Sequence, residues 1–171
     1  MKTLAIIFGV AFILMTRVHA LEDGFYYYLS VEFEGEERVL DIQNDGENTP
    51  IILSKKSSEP TQLWRLTDNH EGYYRLTTMW LGVSYSLDIV NDGQDNNRIV
   101  INKSADYSGQ LWRITPLAGD AYRLTSQWRG SKFSLAASRD AASKTTVPML
   151  VPTGDAPGQL WKITKSEKKV K

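Results

Sequence analysis

The hexapeptide QLWRLT that starts at Gln62 returns as QLWRIT at Gln110 and as QLWKIT at Gln159. Spacings of 48 and 49 residues are those of a repeat unit, and self-similarity at a fixed period constrains a fold more tightly than composition does. A unit of that size cannot bury its apolar face alone. The three copies are therefore expected to pack around one shared core.

A second stretch keeps the same register. With Trp80 laid over Trp128, YYRLTTMWLGVSYSLDI and AYRLTSQWRGSKFSLAA agree without a gap at Tyr74/Tyr122, Arg75/Arg123, Leu76/Leu124, Thr77/Thr125, Gly82/Gly130, Ser86/Ser134 and Leu87/Leu135. In the first third, Tyr27, Leu29, Phe33, Gly35, Leu40 and Asp41 fall opposite Tyr74, Leu76, Trp80, Gly82, Leu87 and Asp88. The units run over about 23–70, 71–119 and 120–164.

Each unit reads as strands. YYRLTTMW, YSLDIV, RIVINK and QLWRIT are rich in Tyr, Thr, Val, Ile and Trp, alternate with period two in places, and are parted by NDG, GE or SG turn chemistry. No helical period appears. Four strands per unit give twelve; one blade per unit would make a propeller of only three blades, below the usual four to eight. A barrel closed by three capping hairpins, the β-trefoil, uses twelve strands and a three-fold repeat.

The first twenty residues stand outside this pattern. Lys2 supplies a short basic start, Leu4 to Met15 an apolar run, and Val18-His19-Ala20 small residues at a cleavage point, so residues 1–20 are expected to be a secretory signal peptide. The run is shorter than the ~20 residues that span a bilayer, so membrane insertion is not expected. The chain from Leu21 onward is about 150 residues, enough for one sizeable core. It has no cysteine, which excludes disulfide staples, thiol catalysis and thiolate metal sites together. Twenty Lys and Arg balance twenty Asp and Glu, leaving no broad basic face for nucleic acid. The trefoil is expected over 21–165, with SEKKVK supplying a basic, solvated tail at 166–171.

Three Gln-x-Trp motifs closing units of about 48 residues, two of the units carrying LDI-x-NDG, resemble the ricin B-chain-like β-trefoil lectins over essentially all of Glu22 to Thr164. The motif itself reads as architecture. An indole buries on the order of 200 Å² and needs one partner for its N–H. Trp64, Trp112 and Trp161 therefore suit a barrel layer, while the amides of Gln62, Gln110 and Gln159 suit loop braces.

The resemblance places a sugar-binding carboxylate at the aspartate of LDI, Asp41 in the first unit and Asp88 in the second; the third has Ala136. Both aspartates precede an NDG turn, and capping that turn is the alternative role for them. Galactose-binding members carry a Gln and an aromatic two apart on the following strand and an Asn just before Gln-x-Trp. Aligned here are Ile52 and Ser54, Val100 and Asn102, and Leu150 and Pro152, with Thr61, Gly109 or Gly158 before the motif, so no unit has that full set. Aromatic plates for a sugar ring are sought among Phe33, Trp80 and Trp128, Tyr85 and Phe133, and Tyr107. The second unit is the richest, because Asp88 is followed by Asn91, Asp92, Gln94, Asp95, Asn96 and Asn97. The candidate carbohydrate-binding residues are Asp41, Asp88, Asn48, Asn96, Asn97, Trp80 and Tyr107.

No cofactor, metal site or catalysis is expected. NDGQDNN clusters oxygens but lacks the spacing and terminal Glu of an EF-hand loop. His70 is the only histidine after the leader, and neither Gly-x-Ser-x-Gly nor His-Glu-x-x-His occurs. Asn102-Lys103-Ser104 is a glycosylation sequon. The leading expectation is a secreted glycan-binding protein; the alternatives are a protein-binding trefoil such as a protease inhibitor, or an extracellular matrix component.

Overall fold

The structure is a computed structural model that describes residues 21–33, 36–44, 50–94, 96–139 and 145–171. The signal peptide expected at 1–20 and the candidate Asn48 lie outside the described residues.

Twelve strands follow the chain. The first unit holds β1 (Phe25–Phe33), β2 (Glu36–Ile42), β3 (Ile51–Ser54) and β4 (Trp64–Asp68). The second holds β5 (Tyr74–Thr78), β6 (Tyr85–Ile89), β7 (Ile99–Lys103) and β8 (Leu111–Pro116), and the third β9 (Tyr122–Ser126), β10 (Phe133–Arg139), β11 (Thr146–Pro152) and β12 (Trp161–Lys169). The outer strands pair in the order β1-β4-β5-β8-β9-β12, and β12 returns to β1, closing a six-stranded antiparallel barrel without a free edge. The inner strands form the hairpins β2–β3, β6–β7 and β10–β11, whose second strands contact one another at one end. This is the β-trefoil expected from the repeat.

The core repeats with the sequence. Leu29, Leu76 and Leu124, then Leu40, Leu87 and Leu135, then Trp64, Trp112 and Trp161 are all 0 % exposed. Across the barrel strands Tyr27, Tyr74 and Tyr122 sit opposite those three tryptophans. Alternation is clean in β4, where Trp64 and Leu66 face inward and Arg65 and Thr67 less so.

The end of the chain departs from expectation. The side chains of Glu167, Lys168, Lys169 and Lys171 are exposed, but the segment is a strand: β12 continues to Lys169, which pairs with Phe25, and the Val170 N–H donates to the Gly24 carbonyl at 2.9 Å. Lys165 and Lys169 lie over the Phe25 ring, at 4.3 and 5.7 Å, and Lys165 meets Glu22 at 2.9 Å. The physical reason is backbone demand: β1 needs a ladder partner along its first residues, and a ladder asks nothing of side-chain polarity.

Candidate functional site

Each Gln-x-Trp motif enters its barrel strand through a short 3₁₀ turn, Pro60–Gln62, Ser108–Gln110 or Pro157–Gln159. The turn puts Gln at its inner end and the indole two residues on in the core. The Trp64 Nε1–H donates to the Leu40 carbonyl at 2.9 Å, Trp112 to Leu87 at 3.1 Å and Trp161 to Leu135 at 2.8 Å. Those carbonyls belong to the residue just before Asp41, Asp88 and Ala136. The indole thus fixes the strand that carries the candidate acid.

The glutamine fixes the acid itself. Gln110 Nε2 donates to Asp88 Oδ2 at 3.0 Å and to the Lys103 carbonyl at 2.9 Å, while its Oε1 accepts from the Ala105 N–H, Ser86 Oγ and Arg75 Nη1. Gln62 Nε2 donates to Asp41 Oδ2 at 3.0 Å, to Ser54 Oγ at 2.8 Å and to the Lys55 carbonyl at 2.9 Å, and Oε1 accepts the Ser57 N–H at 2.7 Å. Gln159 Oε1 accepts from Gly154 N–H and Ser134 Oγ, and its Nε2 reaches the Pro152 carbonyl at 3.1 Å; with alanine at 136 it has no carboxylate to hold.

Asp41 and Asp88 are almost covered, 8 % and 5 % exposed. In each, Oδ1 accepts the N–H of the next residue, Ile42 or Ile89, at 2.7 Å. Oδ2 is shared between the motif glutamine and a residue of the hairpin partner strand. That residue is Ser54, whose hydroxyl donates at 2.6 Å, in the first unit, and Asn102, whose Nδ2 donates at 3.3 Å, in the second. In the second unit the described bonds of Asp88 run to the Ile89 N–H, across the hairpin to Asn102 and to Gln110, and none runs to Asn91, Asp92 or Gly93. A carboxylate offers about four lone-pair sites. Three donors leave one for a ligand.

Around Asp88 lies a cleft of ≈ 650 Å³, bordered by Asn102, Tyr107, Gly109, Gln127 and Trp128. Tyr107 is 64 % exposed. Trp128 comes from the third unit, held there by the Trp128 N–H to Ser108 carbonyl bond at 3.1 Å and the Gln127 N–H to Leu111 carbonyl bond at 2.8 Å. Trp80 is not among the residues lining the Asp88 cleft. The equivalent bond in its own unit, Met79 N–H to the Leu63 carbonyl at 2.8 Å, turns that stretch toward the first unit. Trp128 therefore borders the cleft of the unit before its own, and Phe33 borders the third unit's cleft in the same way.

Asn96 and Asn97 also lie away from Asp88, in a pocket beside the hairpin ends. Their loop is locally bonded, Gly93 N–H to Asn96 Oδ1 at 3.0 Å and Gln94 N–H to Asp92 Oδ1 at 2.9 Å. The third cleft, ≈ 400 Å³, is walled by Phe33, Ala136, Ala137, Val151 and Pro157 and holds no charged residue among those described. The β10–β11 register places Met149 opposite Ala136 and Val151 opposite Ser134. The counterparts of Val100 and Asn102 are therefore Met149 and Val151, one residue earlier than the Leu150 and Pro152 of the sequence alignment.

Sequence reasoning missed two elements of the site. Asn102 appeared as a sequon and an aligned strand residue, not as a donor to Asp88. Gly109 appeared only as a missing Asn, yet a Cβ there would sit 2.6 Å from Asp88 Oδ1. On this unit's backbone a side chain at 109 would displace the carboxylate. Among the described residues no three His, Asp or Glu side chains converge as a metal site would require.

Comparison with known proteins agrees with this fold. The family model described as ricin-type β-trefoil lectin domain-like matches residues 60–150. No curated protein matches the chain. Among solved structures it is similar to the designed three-fold symmetric protein ThreeFoil, with 24% identity over 81% of this chain and 97% of that one and a TM-score of 0.66. It is also similar to an exo-β-1,3-galactanase from Clostridium thermocellum, at 20% identity, 84% and 31% coverage and TM-score 0.70. A third is a Polyporus squamosus lectin bound to the epitope Neu5Aca2-6Galb1-4GlcNAc, at 15% identity, 85% and 50% coverage and TM-score 0.63. At these identities the likeness is one of fold, and the chain spans about a third of the galactanase and half of the lectin. With the family model covering more than half its length, the chain belongs to the ricin-type β-trefoil lectin domain-like family.

Proposed function

We propose that this protein is secreted and binds carbohydrate through the Asp88 cleft of its second unit, without chemistry on the ligand. The Asp88 carboxylate carries the reading: it is immobilised by three protein donors, keeps one acceptor site, and sits in a cleft with an exposed phenol and an indole. A pyranose presents hydroxyl donors on its rim and an apolar C–H face, and those two demands match a fixed carboxylate beside Tyr107 and Trp128. Family membership and the sugar-related proteins of the same fold support the same class of ligand. The apolar segment at 4–15 behind Lys2 supports export. Asp41, held in the same way by Gln62 and Ser54, is the second candidate, and the third cleft is taken as inactive.

The test is a glycan array on the purified protein with Asp88→Ala and Asp41→Ala beside it. Alanine is the residue the third unit already carries at this place, so the fold accommodates it. Asp88→Ala should lose at least tenfold in affinity for the glycans recognised; a silent array for the wild type, or binding indifferent to both substitutions, overturns the reading.

A further inference from the structure

Beside the meeting hairpins β3, β7 and β11 lies a cavity of ≈ 750 Å³, larger than the Asp88 cleft. One side is apolar, with Ile51, Pro148 and Met149. The other carries Asn97 and Arg129, and each keeps a buried polar atom without a hydrogen-bond partner: Asn97 Oδ1, an acceptor, and Arg129 Nε, a donor. Buried polar atoms are nearly always satisfied; Arg123 Nε and Thr153 Oγ1 are unpartnered elsewhere in the fold, and what sets Asn97 and Arg129 apart is that both residues line one cavity.

Arg129 is fixed without using its donors. Its guanidinium lies 3.9 Å from the Phe133 ring and 5.3 Å from the Trp128 ring. Stacking sets the plane of the fork and leaves its N–H groups free for a planar or tetrahedral oxyanion. No described acidic residue lines the cavity or pairs with Arg129. The position is also where the three-fold symmetry fails. The residue after the aligned aromatic is Glu34 in the first unit and Leu81 in the second; only the third has a cation.

We infer that this cavity is a subsite for an anionic saccharide residue, one bearing a carboxylate or a sulfate, with Arg129 holding the oxyanion and Asn97 Oδ1 accepting from a neighbouring hydroxyl. A free inorganic anion would satisfy Arg129 and leave Asn97 orphaned; a neutral sugar would do the reverse. A hydroxylated ring with an acidic substituent satisfies both and lays its C–H face on Ile51 and Met149. The inference rests on the carbohydrate reading above and extends it. Val100 borders both depressions, and Trp128 of the Asp88 cleft is followed directly by Arg129 of this one. An oligosaccharide with its neutral residue at Asp88 therefore continues into the pocket that selects the acid.

The experiment compares three matched oligosaccharides, neutral, carboxylated and sulfated, by calorimetry, and follows the Arg129 Nε–H signal by NMR with N-acetylneuraminic acid and galactose 6-sulfate. The acid-bearing glycan should bind about tenfold tighter than its neutral parent, in the range a single charge-assisted pair supplies. Whichever acid-bearing arm gains identifies the substituent. Arg129→Met, which keeps an apolar stem against Phe133, should erase the difference between the acid-bearing glycan and its neutral parent. Asn97→Asp, with the same shape and a repelling charge, should weaken only the acid-bearing glycan. Equal affinities in the wild type, or a difference that survives Arg129→Met, overturn the subsite while the Asp88 reading stands. Acidic sugars that move the Arg129 signal in a protein deaf to neutral glycans support the subsite and sink the Asp88 reading. No response to any sugar sinks both.

Discussion

Gln110 Nε2 and Asp88 Oδ2 are 3.0 Å apart, and the same amide holds the Lys103 carbonyl at 2.9 Å while its oxygen takes the Ala105 N–H. One side chain, 0 % exposed, thereby joins the acid, the end of β7 and the loop beyond it. Gln110→Ala removes one of the two donors to Asp88 Oδ2 and leaves the Lys103 carbonyl and the Ala105 N–H without their side-chain partner. The expected loss is about 2–4 kcal/mol of stability, since each orphaned buried group costs about 1–3 kcal/mol and neighbouring losses are not additive. Urea unfolding reads it as a lower midpoint at unchanged slope. A loss below ~1 kcal/mol would mean that water replaces the amide and that the brace is dispensable.

Gly109→Ala should separate function from stability. Its Cβ would meet Asp88 Oδ1 at 2.6 Å, closer than a real carbon approaches an oxygen, so the carboxylate must shift. The expected outcome is a cost of about 1–3 kcal/mol, typical of overpacking, together with loss of at least tenfold in glycan affinity at the second unit, measured by calorimetry. Retained affinity would show that the carboxylate's position is not what the ligand reads.

Much of this was legible in the sequence because a repeat states equivalence directly. QLW at three places gave three buried tryptophans, and Ala136 against Asp41 and Asp88 marked the odd unit. What a repeat does not state is adjacency. Trp80 and Asp88 share a unit yet part company: Met79 bonds back to Leu63 of the first unit, and the third unit's Trp128 lines the Asp88 cleft instead. The register of β11 slipped for a related reason: Met149, Leu150 and Val151 are all apolar, and only the ladder decides which of them faces Ala136. The basic end of β12 was unreadable because its polar side chains hide a strand made by backbone pairing alone.

Restoring the lost acid tests how far the third unit has drifted. In Ala136→Asp the new carboxylate enters a buried site, 3 % exposed, where Gln159 Nε2 is within the same cleft but the partner-strand residue is Val151 rather than serine or asparagine. The single substitution is expected to destabilise by about 1–3 kcal/mol, as for a polar group with incomplete partners. Adding Val151→Asn supplies the counterpart of Asn102, and thermal unfolding of the double variant should recover at least half of that loss. Additive losses would show that the third cleft no longer admits the carboxylate geometry.

Asn102 ties the sequon to the site. Its side chain is exposed on β7, yet its Nδ2, the atom a glycan would be joined to, donates to Asp88 Oδ2 at 3.3 Å. Protein glycosylated there carries its own sugar at the Asp88 cleft and keeps only one of the two Nδ2 hydrogens. Material made in a glycosylating secretory host should bind glycans at least tenfold more weakly than unmodified protein wherever mass spectrometry finds Asn102 occupied. Ser104→Ala, which removes the sequon and only one hydroxyl bond to the Val83 carbonyl, should restore binding in that host. Equal affinity of occupied and unoccupied protein would place the ligand away from Asp88.

The alkaline limit of stability should be set in part by two tyrosines. Burial pushes the Tyr27 hydroxyl above its ordinary range; its bond to the Glu22 backbone pulls the other way, and the Glu22 carboxylate raises it further. Tyr74 is raised by burial and by the charges of Asp68 and Asp23. A phenol whose folded pKa exceeds the unfolded value of about 10 contributes stability that is fully present below that pH and is lost as pH rises through the folded value. The melting temperature should fall above pH ~10. Tyr27→Phe gives up the hydroxyl's bonds to the Glu22 N–H and carbonyl, 2.7 and 2.9 Å, and should cost about 1 kcal/mol at neutral pH. Combined with Tyr74→Phe it should flatten the alkaline fall, because neither ring can then ionise. An alkaline slope identical in the wild type and the double variant would assign that fall to the lysines instead.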